Sequence, residues 1–211
     1  MARIKDGIFG GFSGKVGNVV GCKGKTGYYV RSRPNNVFNP QTERQQAQRG
    51  KLVAAMQFAR VFTPFLRISY REFAGAGKPY HAAVSSFLKN AVVETDSGCA
   101  IDFAKALVSR GSLTAVHRAQ IASSGPTITY TWTDNSGEGN AAPTDLTLLV
   151  AFNKTRWAAV YTDAAACRSD EKADLSIPAD WAADELAVYL GFRSADGETV
   201  ANSVYFSISV I

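Results

Sequence analysis

Between residues 115 and 211 the chain carries seven short apolar runs, each bounded by turn chemistry, and this rhythm limits the possible folds more than any other feature. The runs are AVHRAQIA, TITYTW, DLTLLVAFN, RWAAVYT, ADLSIP, ELAVYLGFR and NSVYFSISVI. Ser123-Ser124-Gly125-Pro126, Asp134-Asn135-Ser136-Gly137 and Ala195-Asp196-Gly197 lie between them. Runs rich in β-branched and aromatic residues, broken at such intervals, read as antiparallel strands of two packed sheets. Trp132 and Trp157 fall on strand patterns and are expected in the core.

Upstream the period changes. From about Asn39 to Glu94 the apolar residues recur at three- and four-residue steps, the spacing of one helix face. Asn39 reads as a cap with Pro40 in the first helical position. Leu52, Ala55, Met56, Ala59 and Phe62 then share a face, and Pro64 ends or kinks the helix. PFLRISYREFA reads as a short second helix. Tyr80, Val84, Phe87, Leu88 and Ala91 define a third, set off by Gly75-Ala76-Gly77 and Pro79. AIDFAKALVSRG reads as an extended lead-in to the strands. Before Asn36 the chain is basic and Gly-rich, with eight glycines in 7–27. There KVGNVVG and TGYYVRSR read as two strands around a Gly-Cys-Lys-Gly-Lys turn. Glycine within a strand costs stability unless backbones approach closely, so this segment is expected to pack tightly or to order on assembly.

The fold class is therefore α+β. A Gly-rich N-terminal β segment (1–36) precedes a short helical region (37–99). A C-terminal antiparallel β-sandwich with its lead-in (100–211) follows, immunoglobulin-like or fibronectin-III-like in strand number. LAVYLGFRSADGETVANSVYFSISV resembles the last two strands of a fibronectin-III module.

Chemistry is sparse. A phosphate loop needs a glycine five residues before the Gly of Gly-Lys-Ser/Thr, but Val19 stands five before Gly24 and Phe9 five before Gly14. No G-x-S-x-G elbow accompanies the serines. His81 and His117 have no partner at metal-ligand spacing, and Cys22, Cys99 and Cys167 form no C-x-x-C pair, which reads as reduced structural thiols. The acidic run at 163–185 lacks the ordered spacing of a calcium loop. We expect no enzyme activity, no cofactor and no metal. No apolar run approaches the roughly 20 residues that span a bilayer. Arg3 and Lys5 precede no signal-peptide core, so synthesis in the cytoplasm is expected, with residence there or inside a virion or other assembly.

Charge is uneven. Residues 1–100 hold 15 Lys/Arg against 5 Asp/Glu, and residues 101–211 hold 8 against 13. Lys15, Lys23, Lys25, Arg31 and Arg33 are interleaved with Tyr28, Tyr29 and Phe38, and Arg44 and Arg49 extend the basic character into the first helix. Lys15, Lys23, Lys25, Tyr28, Tyr29, Arg31, Arg33, Arg44 and Arg49 are the candidate contacts for assembly or for nucleic acid. The leading expectation is a non-enzymatic structural or adaptor subunit, a homo-oligomer or one joined to other protein subunits. Its basic N-terminal segment would dock on neighbouring chains by strand addition. The alternatives are nucleic-acid binding through the same residues, and a carbohydrate- or surface-binding sandwich with Trp181 as its loop aromatic.

MARIKDGIFGGFSGKVGNVVG, YYVRSRP, NPQTERQQAQR, TPFLRI, LVSRGSLT, WTDNSGEGNA, ADWAADELAVYLGF and DGETVANSVY together resemble an uncharacterised Bacteroidota family of about this length, known only as a domain of unknown function. The resemblance covers essentially the whole chain and implies no activity or catalytic residue. NPQTERQQAQR alone also resembles segments of small phage-encoded proteins, which points toward a virion component.

Overall fold

The computed structural model describes residues 3–4, 11–34, 39–75, 77–95 and 98–209. Lys5, Phe9 and Phe38, named above, lie outside the described residues. The chain divides into two compact units, 1–42 and 43–211.

The first unit is an antiparallel sheet in the order β1 (Arg3–Ile4), β2 (Phe12–Val16), β3 (Val19–Gly24), β4 (Gly27–Ser32). KVGNVVG is thus not one strand. Gly17-Asn18 turns between β2 and β3, with Gly17 at φ 52°, because a two-residue hairpin loop needs a positive φ at its first position. Lys25-Thr26 turns between β3 and β4, so Gly21-Cys22-Lys23-Gly24 belongs to a strand rather than to a turn.

The second unit opens with α1 (Glu43–Val61), α2 (Thr63–Ser69) and α3 (Pro79–Asn90), followed by a hairpin of β5 (Val92–Thr95) and β6 (Gly98–Ile101). α1 starts later than Asn39 and Pro40 imply. Gln41 sits at φ 48°, in the left-handed region, and a right-handed helix does not continue back through it. α2 begins with Pro at its first turn, where the missing N–H costs nothing. The remaining strands are β7 (His117–Ser124), β8 (Thr127–Thr133), β9 (Leu146–Asn153), β10 (Ala158–Thr162), β11 (Lys172–Ser176), β12 (Glu185–Arg193) and β13 (Val204–Ser209). They form a three-stranded sheet, β11-β8-β7, and a four-stranded sheet, β10-β9-β12-β13, all antiparallel.

The four-stranded sheet is buried on both faces, which is why β9 and β12 read as nearly unbroken apolar runs instead of alternating ones. The strand period of two divides the side chains. Leu148, Val150, Phe152, Ala187 and Tyr189 meet Phe58, Phe65, Leu66, Val84 and Phe87 of the helices. Leu149, Ala151, Leu186, Val188, Leu190 and Phe192 meet Ile128, Tyr130, Trp132, Ala173 and Leu175 of the three-stranded sheet. The unit therefore has three layers, helices on sheet on sheet, and the regions separated at residue 99 by their periodicity share one core. Each fully buried Leu, Val or Phe stabilises the fold by about 1.5–3 kcal/mol.

The helix face differs from the one expected. Ala55, Phe58, Ala59 and Phe62 are buried, whereas Leu52 and Met56 are exposed. Phe58 makes edge contacts with Phe62, Phe87, Phe103 and Phe152 at centroid distances of 4.8–5.8 Å, and centring the stripe on that ring turns Met56 outward.

At the far end of the two sheets, Arg168 is fully buried. Its Nε donates to Asp145 Oδ2 (3.0 Å), its Nη1 to Asn135 Oδ1 (2.5 Å) and its Nη2 to the Thr114 carbonyl (3.0 Å). The guanidinium lies 4.0 Å from the Phe192 ring centroid, and Trp132 Nε1 donates to the Arg168 carbonyl (2.7 Å). Burial lowers the pKa of Arg168 and Asp145 opposes that shift, so the pair is a charged pin between loops.

Candidate assembly surface

The first unit is built like a sheet with its cover removed. Register and alternation place Phe12, Gly14, Val16, Val19, Gly21, Lys23, Tyr28, Val30 and Ser32 on one face. Ser13, Lys15, Val20, Cys22, Tyr29 and Arg31 share the other. On the first face the Phe12 ring lies over Gly21. A Cβ there would stand 2.3 Å from the Phe12 carbonyl oxygen and 2.5 Å from its ring, so only glycine allows β2 and β3 to close.

A Cβ at Gly11 would likewise stand 2.0 Å from the Tyr28 ring. Among its described residues, Gly21 alone is buried. All six residues of β4 are exposed. Val16 is 51% exposed, Val19 36%, Tyr28 42% and Val30 56%, which leaves one face apolar and open. The contrast with β8, where inward residues are buried and outward ones are not, is a contrast between a strand with a second layer and a strand without one.

The nine residues singled out by composition do not converge. Lys15, Tyr29 and Arg31 lie on one face, and both Lys15 and Arg31 flank Val20, which sets the two cations about 10 Å apart across the strands. Lys23 and Tyr28 lie on the opposite face, directly paired, with the ammonium 5.6 Å from the ring centroid. Lys25 is in the hairpin turn, and Arg33 follows β4, its N–H donating to the Asn18 carbonyl (2.7 Å). Arg44 and Arg49 are exposed on α1, in the second unit. That these residues divide between two faces was not legible in the sequence, because it depends on the Gly17-Asn18 turn.

β4 ends the sheet order, and its outer edge pairs with no strand among the described residues. Such an edge is a row of unpaired N–H and C=O groups, a template for another strand. The second unit has edges of its own. β11 ends the three-stranded sheet, with Asp174 exposed on it and Asp170 and Glu171 exposed just before it. These residues belong to the acidic run at 163–185. Their position beside a sheet edge was hidden from the sequence, since nothing in it reports strand order.

Other expected sites resolve differently. His117 opens β7, an edge strand, and His81 lies in the first turn of α3. Trp132 is buried, but Trp157 is not a core residue. It occupies the β9–β10 turn at φ 54° and is 41% exposed, because the strand pattern starts one residue after it. Trp181, the aromatic of the carbohydrate reading, is buried between the two sheets. Among the described residues no group of three or more His, Cys, Asp or Glu could hold a metal ion. Among them, no helix is long and apolar enough to cross a membrane.

A family model of unknown function, DUF6266, matches residues 11–207. The chain belongs to that family. The match takes in β2, β3 and β4 together with the helices and the strands as far as β13, so the uncovered sheet is part of the DUF6266 pattern rather than an addition to it. No curated protein and no solved structure matches the chain.

Proposed function

We propose that the protein is a non-enzymatic structural or adaptor subunit whose N-terminal sheet docks on a neighbouring copy. One observation carries the reading: a four-stranded sheet leaves its edge strand β4 wholly exposed and buries a single described residue, Gly21. A sheet that is apolar on one face must bury that face against another element, and an exposed apolar face with an open edge marks an interaction surface. Charge selects the partner. Residues 1–42 hold seven Lys/Arg and one Asp/Glu, whereas residues 43–211 hold 16 and 17. A second copy thus offers what the first unit lacks. The acceptor is the β11 edge, where Asp170, Glu171 and Asp174 are exposed on or beside the strand, and Arg31 and Arg33 at the end of an added β4 are the cations to meet them. Donor and acceptor are different surfaces, so the contact is head-to-tail and builds rings or filaments. A virion is one assembly of this kind, and the phage-like segment at 39–49 fits it.

The strand order supports a sandwich of the immunoglobulin or fibronectin-III type as the body of the subunit. β7, β8 and β11 occupy the places of strands A, B and E, and β9, β10, β12 and β13 those of C, C′, F and G. The test is a charge swap followed by mass photometry. Arg31→Glu breaks the assembly, Asp174→Arg breaks it, and the double variant restores part of it. Assembly unaffected by either single change contradicts the β4–β11 contact.

A second reading, nucleic-acid binding, is favoured by the Lys15–Arg31 row beside Tyr29 on one sheet face. Phosphates would lie along the row with a base on the ring. Binding of a single-stranded oligonucleotide that falls steeply with salt supports it, and no binding at low salt removes it.

A further inference from the structure

The helical layer carries a second feature, independent of the N-terminal sheet. A cleft of about 580 Å³ opens between α2 and the start of α3, lined by Thr63, Arg67, Lys78, Pro79, Tyr80 and His81. Among the described residues no carboxylate lines it. In the same unit eight other Lys and Arg side chains each have a carboxylate partner within 4.0 Å: Lys51, Arg71, Lys105, Lys154, Arg156, Arg168, Lys172 and Arg193. Arg67 and Lys78, like Lys89 and Arg118, have none among the described residues, and they differ from those two in lining one cleft. Two cations without a carboxylate partner among the described residues and an imidazole therefore line one concave surface. Tyr80 forms a wall shared with a smaller cleft along α1, lined by Val53, Met56, Gln57 and Arg60. Val53 and Met56 are half-exposed apolar groups there, and Arg60 is a further cation without a carboxylate partner among the described residues.

We propose that this cleft binds an organic phosphate. Arg67 and Lys78 would hold the phosphate group, with His81 as a third donor, and the organic part would lie past the Tyr80 ring onto Val53 and Met56. The guanidinium suits two phosphate oxygens at once, and the ammonium supplies a point charge beside it. Tyr80 Oη is within 3.5 Å of the Met56 carbonyl, which fixes the ring between the two halves of the groove.

The test uses the full chain, isotope-labelled, titrated with phenyl phosphate and followed by amide NMR shifts. Shifts that map to 63–67 and 78–81 and extend to 53–60, with weaker binding of inorganic phosphate, are expected. Arg67→Gln with Lys78→Gln weakens phenyl phosphate by about tenfold or more, since both charge-assisted contacts are lost. Lys89→Gln, a charge removed from the far end of the same helix, leaves binding unchanged. Adenosine monophosphate and phosphatidic acid vesicles, run as separate arms, distinguish a free organic phosphate from a lipid headgroup, and competition by either supports the site. No shift at millimolar phenyl phosphate overturns the proposal. So does binding that survives the double variant, the outcome if the basic N-terminal sheet were the phosphate site. The oligomeric state does not enter this readout, so the cleft and the docking surface stand or fall separately.

Discussion

At the scale of single residues, Arg168 and Glu72 each join segments far apart in sequence. Arg168 is buried with Asp145, and removing either partner leaves an uncompensated charge inside the protein. Arg168→Ala or Asp145→Asn is expected to cost about 3–5 kcal/mol in urea unfolding. Glu72 accepts from the Ser112 N–H with both oxygens (3.1 and 2.9 Å) and from the Val200 N–H (3.4 Å). Partial burial pushes its pKa up, but the hydrogen bonds from Ser112 and Val200 prevail and hold it below the ordinary 4.5. A depressed carboxylate contributes stability that is full above its unfolded pKa and lost as pH falls through the folded value. Acid titration of the wild type should therefore show a loss below about pH 4.5 that is smaller in Glu72→Gln. Tyr70 works at the other end of the scale. Burial raises its pKa to about 12, so its contribution is full below 10 and lost as pH climbs toward the folded value. None of these roles was legible in the sequence, where Arg168 sits within an acidic run. Its partners are 23 and 33 residues away and meet it only through the strand order.

At the scale of elements, periodicity located the seven C-terminal strands and the three helices because each repeats a local pattern. It missed the β5–β6 hairpin, whose strands are only four residues long and were absorbed into a helix end and a lead-in. It also set the α1 stripe one position off, since a helical pattern does not say which of two neighbouring apolar residues the core takes. Phe58 decides that by its ring contacts. Phe58→Ala is expected to cost about 3–5 kcal/mol, and Met56→Ala, on the exposed side, well under 1 kcal/mol, both by denaturant unfolding. In the N-terminal sheet, Gly21→Val forces Phe12 off its backbone. The expected outcome is loss of assembly with the melting of the second unit unchanged, read by calorimetry beside mass photometry. A matching fall in the main transition would show that the sheet belongs to the core after all.

At the scale of the whole molecule, the division of labour is between a three-layer body that buries its apolar surface and a basic sheet that does not. The composition already showed the charge asymmetry, and the Gly-rich segment already read as something completed by assembly. The exposed face, and the β4 edge that no described strand pairs with, could not be read there, because exposure is a property of what lies opposite. In the proposed assembly, what lies opposite belongs to the next copy. Light scattering of the full chain and of residues 43–211, over the same concentration series, tests this most directly. The account expects the full chain to grow in mass with concentration while residues 43–211 stay folded and monomeric. A full chain that remains monomeric throughout the series would contradict it.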